Sequence, residues 1–179
     1  ARCFGIFKLF LAILLPTLAP ALLLPVDAGA AWRMNGVVLG QCFGDQYLSS
    51  ITRDGAGGAI VAWVDFRPPH TSGLDIYAQR IDASGRVLWN PTGVKVCNAP
   101  GEQTYPRLAP DGTGGAIVLW RDLRSPSGFL YAQRFDADGN SLWTPDGITV
   151  GPAPFTFQDG SLKLSTDGLG GVVVCWLQG

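Results

Sequence analysis

Two Asp–Arg pairs are the residues whose types and spacing could bind a charged ligand. Asp65 and Arg67 occur in "WVDFR", and Asp122 and Arg124 occur in "WRDLR". A carboxylate and a guanidinium can hold a polar ligand, but they also form bidentate bridges with each other. Because the pair recurs, we expect it to join neighbouring repeats, with ligand binding by these four residues as the alternative.

The segment "DADGN" at 136–140 contains candidate calcium ligands. Asp136, Asp138 and Asn140 offer oxygen atoms at the spacing that opens a calcium loop. The related segment "DASGR" at 82–86 lacks the second carboxylate, and a hairpin turn also explains Asp-Gly-Asn. We therefore expect a turn here and predict no cofactor.

His70 is the only histidine, and it lies in the loop "RPPHTSG". No nucleophile or second metal ligand stands beside it in the sequence, so it is either part of a ligand-binding loop or a solvated side chain.

Catalytic signatures are otherwise sparse. Glu102 is the only glutamate, and the chain has no nucleophile elbow, phosphate loop, zinc spacing or dinucleotide fingerprint. In Arg80-x-Asp82 and Arg134-x-Asp136, strand alternation would place each Arg and Asp on one face, where they pair with each other or with the next repeat. These patterns favour a protein that is not an enzyme.

A tandem repeat must position all of these residues. "DGTGGAIVLW" at 111–120 has near copies at 54–63 and 167–176, and "IYAQRIDASGRVLW" at 76–89 returns as "LYAQRFDADGNSLW" at 130–143. All six tryptophans fall in two columns of this repeat. A regular period of this kind indicates an architecture built from repeated supersecondary units.

Each repeat predicts four strands. In the middle copy we expect strands over 103–109, 116–121 and 130–135, and a fourth from Ser141 through Trp143 to Val150. Asp-Gly and Gly-Gly turns separate them, and no segment after residue 31 has helical periodicity. The run "AIVLW" does not alternate apolar and polar residues, so both faces of that strand must be covered.

Stacked four-stranded antiparallel sheets can cover both faces of such a strand. We therefore predict an all-β fold of β-propeller type with about two and a half tandem blades in an incomplete ring. An antiparallel sandwich made from the same hairpins is the alternative.

The repeat resembles those of large secreted bacterial β-propeller proteins. The resemblance rests on Asp-Gly-x-Gly-Gly-x-x-Val-x-Trp followed by Tyr-Ala-Gln-Arg-x-Asp-x-x-Gly-x-x-Leu-Trp, and it covers essentially all of 32–177. It implies the propeller fold and an exported chain, but it says almost nothing about activity. The complete Ser-x-Asp-x-Gly-x-x-Trp box of sialidase-like propellers is absent, so their catalytic roles do not transfer.

The first thirty residues resemble a secretory signal peptide. Arg2 and Lys8 precede an apolar stretch that ends at Ala28-Gly29-Ala30. We expect cleavage of 1–30, with an uncleaved membrane anchor as the alternative. The predicted organisation is a signal peptide at 1–30 and a partial β-propeller at 31–179. Its parts are a fourth strand at 32–39, blades at 45–98 and 102–151, and a partial blade at 157–177.

Net charge and cysteine content bear on nucleic-acid binding and on disulfide formation. Without 1–30 the chain has 11 basic and 13 acidic residues, and its arginines are spread singly, which argues against nucleic acid. Cys42, Cys97 and Cys175 remain; we expect small buried side chains rather than a Cys42–Cys97 disulfide.

These features together predict an exported, non-enzymatic binding or scaffolding module at the cell surface. The loops at 65–75 and 122–129 would contact an extracellular protein or glycan, with no membrane contact after signal cleavage. We expect the chain to be part of a longer protein, and we expect these 179 residues alone to self-associate through their uncovered end blades. The alternative is a fragment of a carbohydrate-active propeller enzyme whose catalytic residues lie in other blades.

Overall fold

The computed structural model describes residues 5–6, 32, 35–68, 73–153 and 162–176. Every regular element in these residues is a β-strand, as the sequence predicts. None of the described residues forms a helix that is long and apolar enough to cross a membrane. The strands are β1 Gly5–Ile6, β2 Val37–Val38, β3 Asp45–Arg53, β4 Ala59–Phe66, β5 Asp75–Ile81, β6 Val94–Lys95, β7 Gln103–Pro110, β8 Ala116–Asp122, β9 Phe129–Phe135, β10 Ile148–Pro152, β11 Leu162–Thr166 and β12 Val172–Trp176.

The strands form antiparallel meanders that follow the repeat. The first sheet has the order β3-β4-β5-β6, and the second has the order β7-β8-β9-β10. Strands β11 and β12 form a third hairpin, and β1 pairs with β2. The predicted four-stranded antiparallel sheets are therefore present twice, at the predicted positions.

Three of the four strands predicted for the middle repeat match the structure to within one residue. The fourth does not begin at Ser141: an isolated bridge joins Ser141 to Phe135, and the ladder resumes only at Ile148. The Gln133 side chain occupies the interval, since its Oε1 accepts from Trp143 N at 3.0 Å and its Nε2 donates to Thr144 O at 2.9 Å. A buried glutamine thus replaces part of the backbone ladder.

Successive units pack face to face. Ile60 and Ala62 on one face of the first sheet share a core with Val118 and Trp120 of the second sheet. The opposite face of β8, which includes Ile117, packs against the third hairpin. Both faces of the central strands are therefore buried, which explains why their sequences do not alternate.

Residues 32–40 repeat the packing of 89–97. The Trp32 indole donates to Ala83 O at 2.9 Å, and the Trp89 indole donates to Ala137 O at the same distance. Leu39 contributes to a core with Val61 and Trp63 of the first sheet. Trp32 and Trp89 thus each cover a turn of the unit that follows.

Candidate functional site

The Asp65–Arg67 pair lies in a cluster at the end of β4. Asp65 Oδ2 accepts from the Trp63 indole at 2.9 Å, and Arg67 binds both carboxylate oxygens at 2.7 and 2.6 Å. The Arg67 guanidinium lies 3.5 Å above the Tyr77 ring. Trp63 and Asp65 can meet because residues two apart in a strand share a face. We call Trp63, Asp65, Arg67 and Tyr77 the Trp–Asp–Arg–Tyr cluster of the first sheet.

The second sheet contains the same cluster. Asp122 accepts from the Trp120 indole at 2.9 Å and from Arg124 Nε and a terminal guanidinium nitrogen at 2.9 and 2.7 Å. Arg124 lies 3.9 Å above the Tyr131 ring and also donates to Asp146 O at 2.9 Å. Each Asp–Arg ion pair closes within one sheet, so the expectation that the ion pair itself joins neighbouring repeats is wrong. Arg67 ties the start of the β4–β5 loop to the turn before β6 by donating to Thr92 O at 3.0 Å. Arg124 also contacts the preceding unit, since it donates to Cys97 Sγ at 3.2 Å.

Burial limits what these residues can offer a ligand. Asp65 and Asp122 are 1% and 0% exposed, whereas the Arg67 and Arg124 side chains keep 17% and 22% of their surface. Burial raises the pKa of each carboxyl, but hydrogen bonds from the arginine and the tryptophan outweigh it, so both pKa values lie below the ordinary range. Ligand binding by the four residues stays a prediction, and the arginines alone are accessible for it. His70 lies outside the described residues.

Cys42 and Cys97 border these clusters, and none of the three described cysteines forms a disulfide. Cys42, Cys97 and Cys175 are free thiols. The Cys97 thiol lies 3.9 Å from Asp122 Oδ2, and burial raises its pKa to about 11. Cys97 is buried as expected, but Cys175 is exposed because the outward face of β12 is not covered within the described residues.

The DGxGG loops lie at the opposite end of the strands, and each is organised by its aspartate. Asp54 Oδ1 accepts the backbone N–H groups of Ala56 and Gly58, both at 2.8 Å. Asp54 Oδ2 accepts from Arg80 Nε at 3.1 Å and from a terminal guanidinium nitrogen at 2.9 Å. Arg80 then donates to Ala137 O of the second sheet at 2.9 Å. One carboxylate therefore fixes its own loop and a contact to the next unit.

Asp111 repeats this arrangement with Thr113, Gly115 and Arg134. The two backbone contacts are 2.8 Å long, and the two guanidinium contacts are 3.1 and 3.0 Å long. Burial raises the pKa of Asp54 and Asp111, but the hydrogen bonds lower it more, so both stay ionised at neutral pH. Of the two partners predicted for these arginines, the nearby Asp82 and Asp136 are wrong, whereas the next repeat is confirmed for Arg80 by its hydrogen bond to Ala137 O. The ladder places Arg80 opposite Ile60 and within reach of Asp54.

Asp82 and Asp136 organise turns instead. Asp136 Oδ1 accepts backbone N–H groups of Asp138 and Asn140 at 2.9 and 2.8 Å, and Asp136 Oδ2 accepts the Asn140 side-chain amide at 3.0 Å. In the equivalent turn, hydrogen bonds led by the Ser84 hydroxyl lower the pKa of Asp82 to about 2. In the part of the chain that the structure describes, no group of three or more His, Cys, Asp or Glu residues is placed to hold a metal ion. The expected turn is present at 136–140, and calcium binding by Asp136, Asp138 and Asn140 stays an untested alternative.

The loops of three successive units line an open groove of about 1020 Å³. Its walls are 53–58 of the first unit, Pro110 and 112–115 of the second, and Thr166 and Gly168 of the third, with Arg80 and Ala137 completing it. The sequence prediction missed this groove because no single loop forms it. The repeated glycines of the DGxGG loops could have indicated the groove. Glycine has no side chain, so glycine-rich loops leave space between neighbouring units.

The first strand of each four-stranded sheet contains one residue with a strained backbone conformation. Leu48 and Tyr105 have φ values of 51° and 55°, and each lies at an irregularity in its ladder. A bulge at an edge strand bends the strand and redirects its side chains. Nothing in the residue types predicts it, because Leu and Tyr rarely adopt this conformation.

No protein-family model, no curated protein and no solved structure matches this chain.

Proposed function

We propose that the chain is part of an exported β-propeller that binds an acidic glycan at the cell surface without catalysing its conversion. The groove between the DGxGG loops is the proposed binding site. Export rests on the resemblance of residues 1–30 to a signal peptide.

The contacts between units support the propeller arrangement. The first strands of successive units, β3, β7 and β11, neighbour one another, while the sheets behind them pack face to face. The second sheet buries one face on the first sheet and the other on the third hairpin. Such packing continues around an axis when the units are equivalent.

The groove is the observation that carries the binding role. Clefts of this size are the usual sites for ligands, and this one is lined by loops held in place by buried ion pairs. A site whose walls are already fixed loses little entropy when it binds. The groove therefore meets the first requirement of a binding module.

The charged residues that line the groove indicate the kind of ligand that it would bind. The charged residues that line it are Arg53, Asp54 and Arg80, of which Asp54 and Arg80 neutralise each other. Arg53 is exposed and forms no ion pair with another of the described residues. Thr113 and Thr166 also line the groove. One cation with hydroxyl and backbone groups suits a carboxylate-bearing sugar.

The test compares acidic and neutral glycans on an array, followed by titration calorimetry. We expect binding to glycans that carry uronic or sialic acids and a loss of about tenfold in affinity for Arg53→Gln, which is the usual size of one charge-assisted hydrogen bond. Arg86→Gln is the matched control, because Arg86 is a 72% exposed side chain on a turn that does not line the groove.

Two results would refute the proposal. Equal loss of affinity in both variants would mean that binding follows net charge rather than the groove. Release of new reducing ends from a bound glycan would mean that the protein is an enzyme.

A further inference from the structure

The groove between the DGxGG loops repeats one arrangement in each of the three units that line it. The residue before each loop aspartate and the glycine after it both line the groove, which gives the pairs Arg53 and Gly55, Pro110 and Gly112, and Thr166 and Gly168. A Cβ atom added to any of these three glycines would meet nothing beyond its own chain neighbours within 4 Å. Each unit therefore presents an open stretch of groove with a different residue at its start.

The junctions between the loops repeat as well. A Cβ atom on Gly114 would lie 4.0 Å from Asp54 O of the preceding loop and 3.9 Å from a guanidinium nitrogen of Arg80. A Cβ atom on Gly170 would lie 3.5 Å from Asp111 O, which is the equivalent atom of its own preceding loop. The third loop therefore meets the second as the second meets the first, and the three stretches form one groove.

The three units differ in the polar side chains that they add to the groove. Arg53 of the first unit is an exposed cation. In the second unit, Thr113 Oγ1 donates to Asp111 Oδ2 at 2.6 Å, so its lone pairs face a ligand as acceptors. In the third unit, Thr166 Oγ1 accepts the Gly168 N–H at 3.1 Å, so its own hydrogen can be donated. One unit thus suits a carboxylate, and the other two suit the hydroxyl groups of neutral positions on a sugar.

The length of the groove exceeds what a single sugar needs. Stacked sheets lie about 10 Å apart, so three successive loops span about 20 Å. The volume of about 1020 Å³ lies at the upper end of the range for sites that enclose a drug-sized ligand. One sugar would contact one unit, whereas an extended chain of several sugars would contact all three.

We infer that the groove binds an internal segment of a linear uronic-acid polysaccharide rather than a single terminal acidic sugar. This inference rests on the proposed function and names the class of glycan. Arg53 holds one carboxylate, while Thr113 and Thr166 bind hydroxyl groups further along the same chain. Contacts that are weak singly reinforce one another along a chain, because the later ones form within a complex that already exists.

The test measures affinity against chain length by titration calorimetry with the full chain. The probes are oligosaccharides of two, four, six and eight sugars from hyaluronan, alginate and pectin, and sialyllactose represents a terminal acidic sugar. In at least one series we expect the affinity to rise at least tenfold from two to six sugars and to change little at eight, when the chain already spans the three units. Sialyllactose should bind no more tightly than the two-sugar probes.

Thr166→Val isolates the contact in the third unit. It should weaken binding of the six-sugar probe about fivefold, as for the loss of one hydrogen bond, and leave the two-sugar probe unaffected. Arg53→Gln should weaken binding of both probes, because each places a carboxylate in the first unit. Thr144→Val is the matched control, because the Thr144 hydroxyl also bonds to the backbone of its own turn, at Gly147 O, but does not line the groove.

The outcomes distinguish this inference from the proposed function. The inference fails if no series shows the rise with length, or if Thr166→Val weakens the two-sugar and six-sugar probes equally. If sialyllactose binds as tightly as the six-sugar probes and Arg53→Gln weakens it, binding of acidic glycans in the groove stands and the polysaccharide alone is refuted. If no acidic glycan binds, both are refuted.

Discussion

Replacing the buried carboxylate of the second cluster should destabilise the protein more than any exposed charge change. In Asp122→Asn, one oxygen is replaced by an amide that can only donate. Asp122 is 0% exposed and accepts the Trp120 indole, the Arg124 backbone N–H and two guanidinium N–H groups. Whichever way the amide turns, the donors on that side lose their acceptor.

The magnitude follows from those contacts. Leaving a buried donor without a partner costs about 1–3 kcal/mol, and removing one member of a fully buried ion pair costs about 3–5 kcal/mol. The Arg124 side chain is 22% exposed, so water recovers part of the loss. We therefore expect the free energy of unfolding to fall by about 3 kcal/mol, a large share of the stability of an ordinary domain.

Urea unfolding followed by tryptophan fluorescence measures this fall. Asp65→Asn should behave like Asp122→Asn, because the two clusters share their geometry. Asp136→Asn is the control: its carboxylate lies in an exposed turn, and the change should cost less than about 1 kcal/mol. If Asp122→Asn and Asp136→Asn lower the free energy of unfolding equally, the buried bridge does not have the structural role described.

The remaining predictions concern acid, glycine and thiols. A carboxyl whose pKa is lowered in the folded state stabilises the protein above its unfolded pKa of about 4, and this stabilisation is lost as the pH falls through the folded pKa. The melting temperature should therefore be level between about pH 5 and 7 and fall below about pH 4. A rise on acidification would contradict this. Gly115→Ala should cost about 2–3 kcal/mol in urea unfolding, since the methyl group meets the backbone carbonyl of Phe135, whereas Gly112→Ala, with a φ of 81° and open space, should cost about 1 kcal/mol. Equal costs would refute the close approach at Gly115. Cys175 should react with an alkylating reagent before Cys97, whose thiol is buried with a pKa of about 11; mass spectrometry of labelled peptides gives the order, and the reverse order would contradict the exposures described.

The strands and sheets could be predicted because several local signals agree. Glycine and aspartate fix the turns, and the apolar runs between them have no polar face to expose. A repeated sequence also supplies the same evidence more than once, so an error in one copy is corrected by another. The predicted start of the fourth strand is too early because the Gln133 side chain binds the chain at Trp143 and Thr144. A side chain that replaces backbone hydrogen bonds leaves no pattern in the sequence of the strand itself.

The candidate site was harder to predict because its contacts are long-range. Alternation along β5 places Arg80 and Asp82 on one face, yet Arg80 reaches a loop 26 residues earlier in the chain. The register between β4 and β5 determines which aspartate Arg80 reaches, and the sequence of one strand does not fix that register. Asp82 lies at the turn after β5, where nearby backbone N–H groups compete successfully for its oxygens.

Asp54 lines the groove and also connects two units, and this links binding to stability. Asp54 fixes the loop that forms the first wall, and through Arg80 it also reaches the second unit at Ala137. A substitution at Asp54 would therefore loosen the wall and the junction at once, so loss of ligand binding in such a variant would not identify a ligand contact. Arg53 lies beside it but is exposed and outside the ion pair. An effect on affinity can be separated from an effect on folding only at a residue such as Arg53, which is exposed and does not take part in the ion pair.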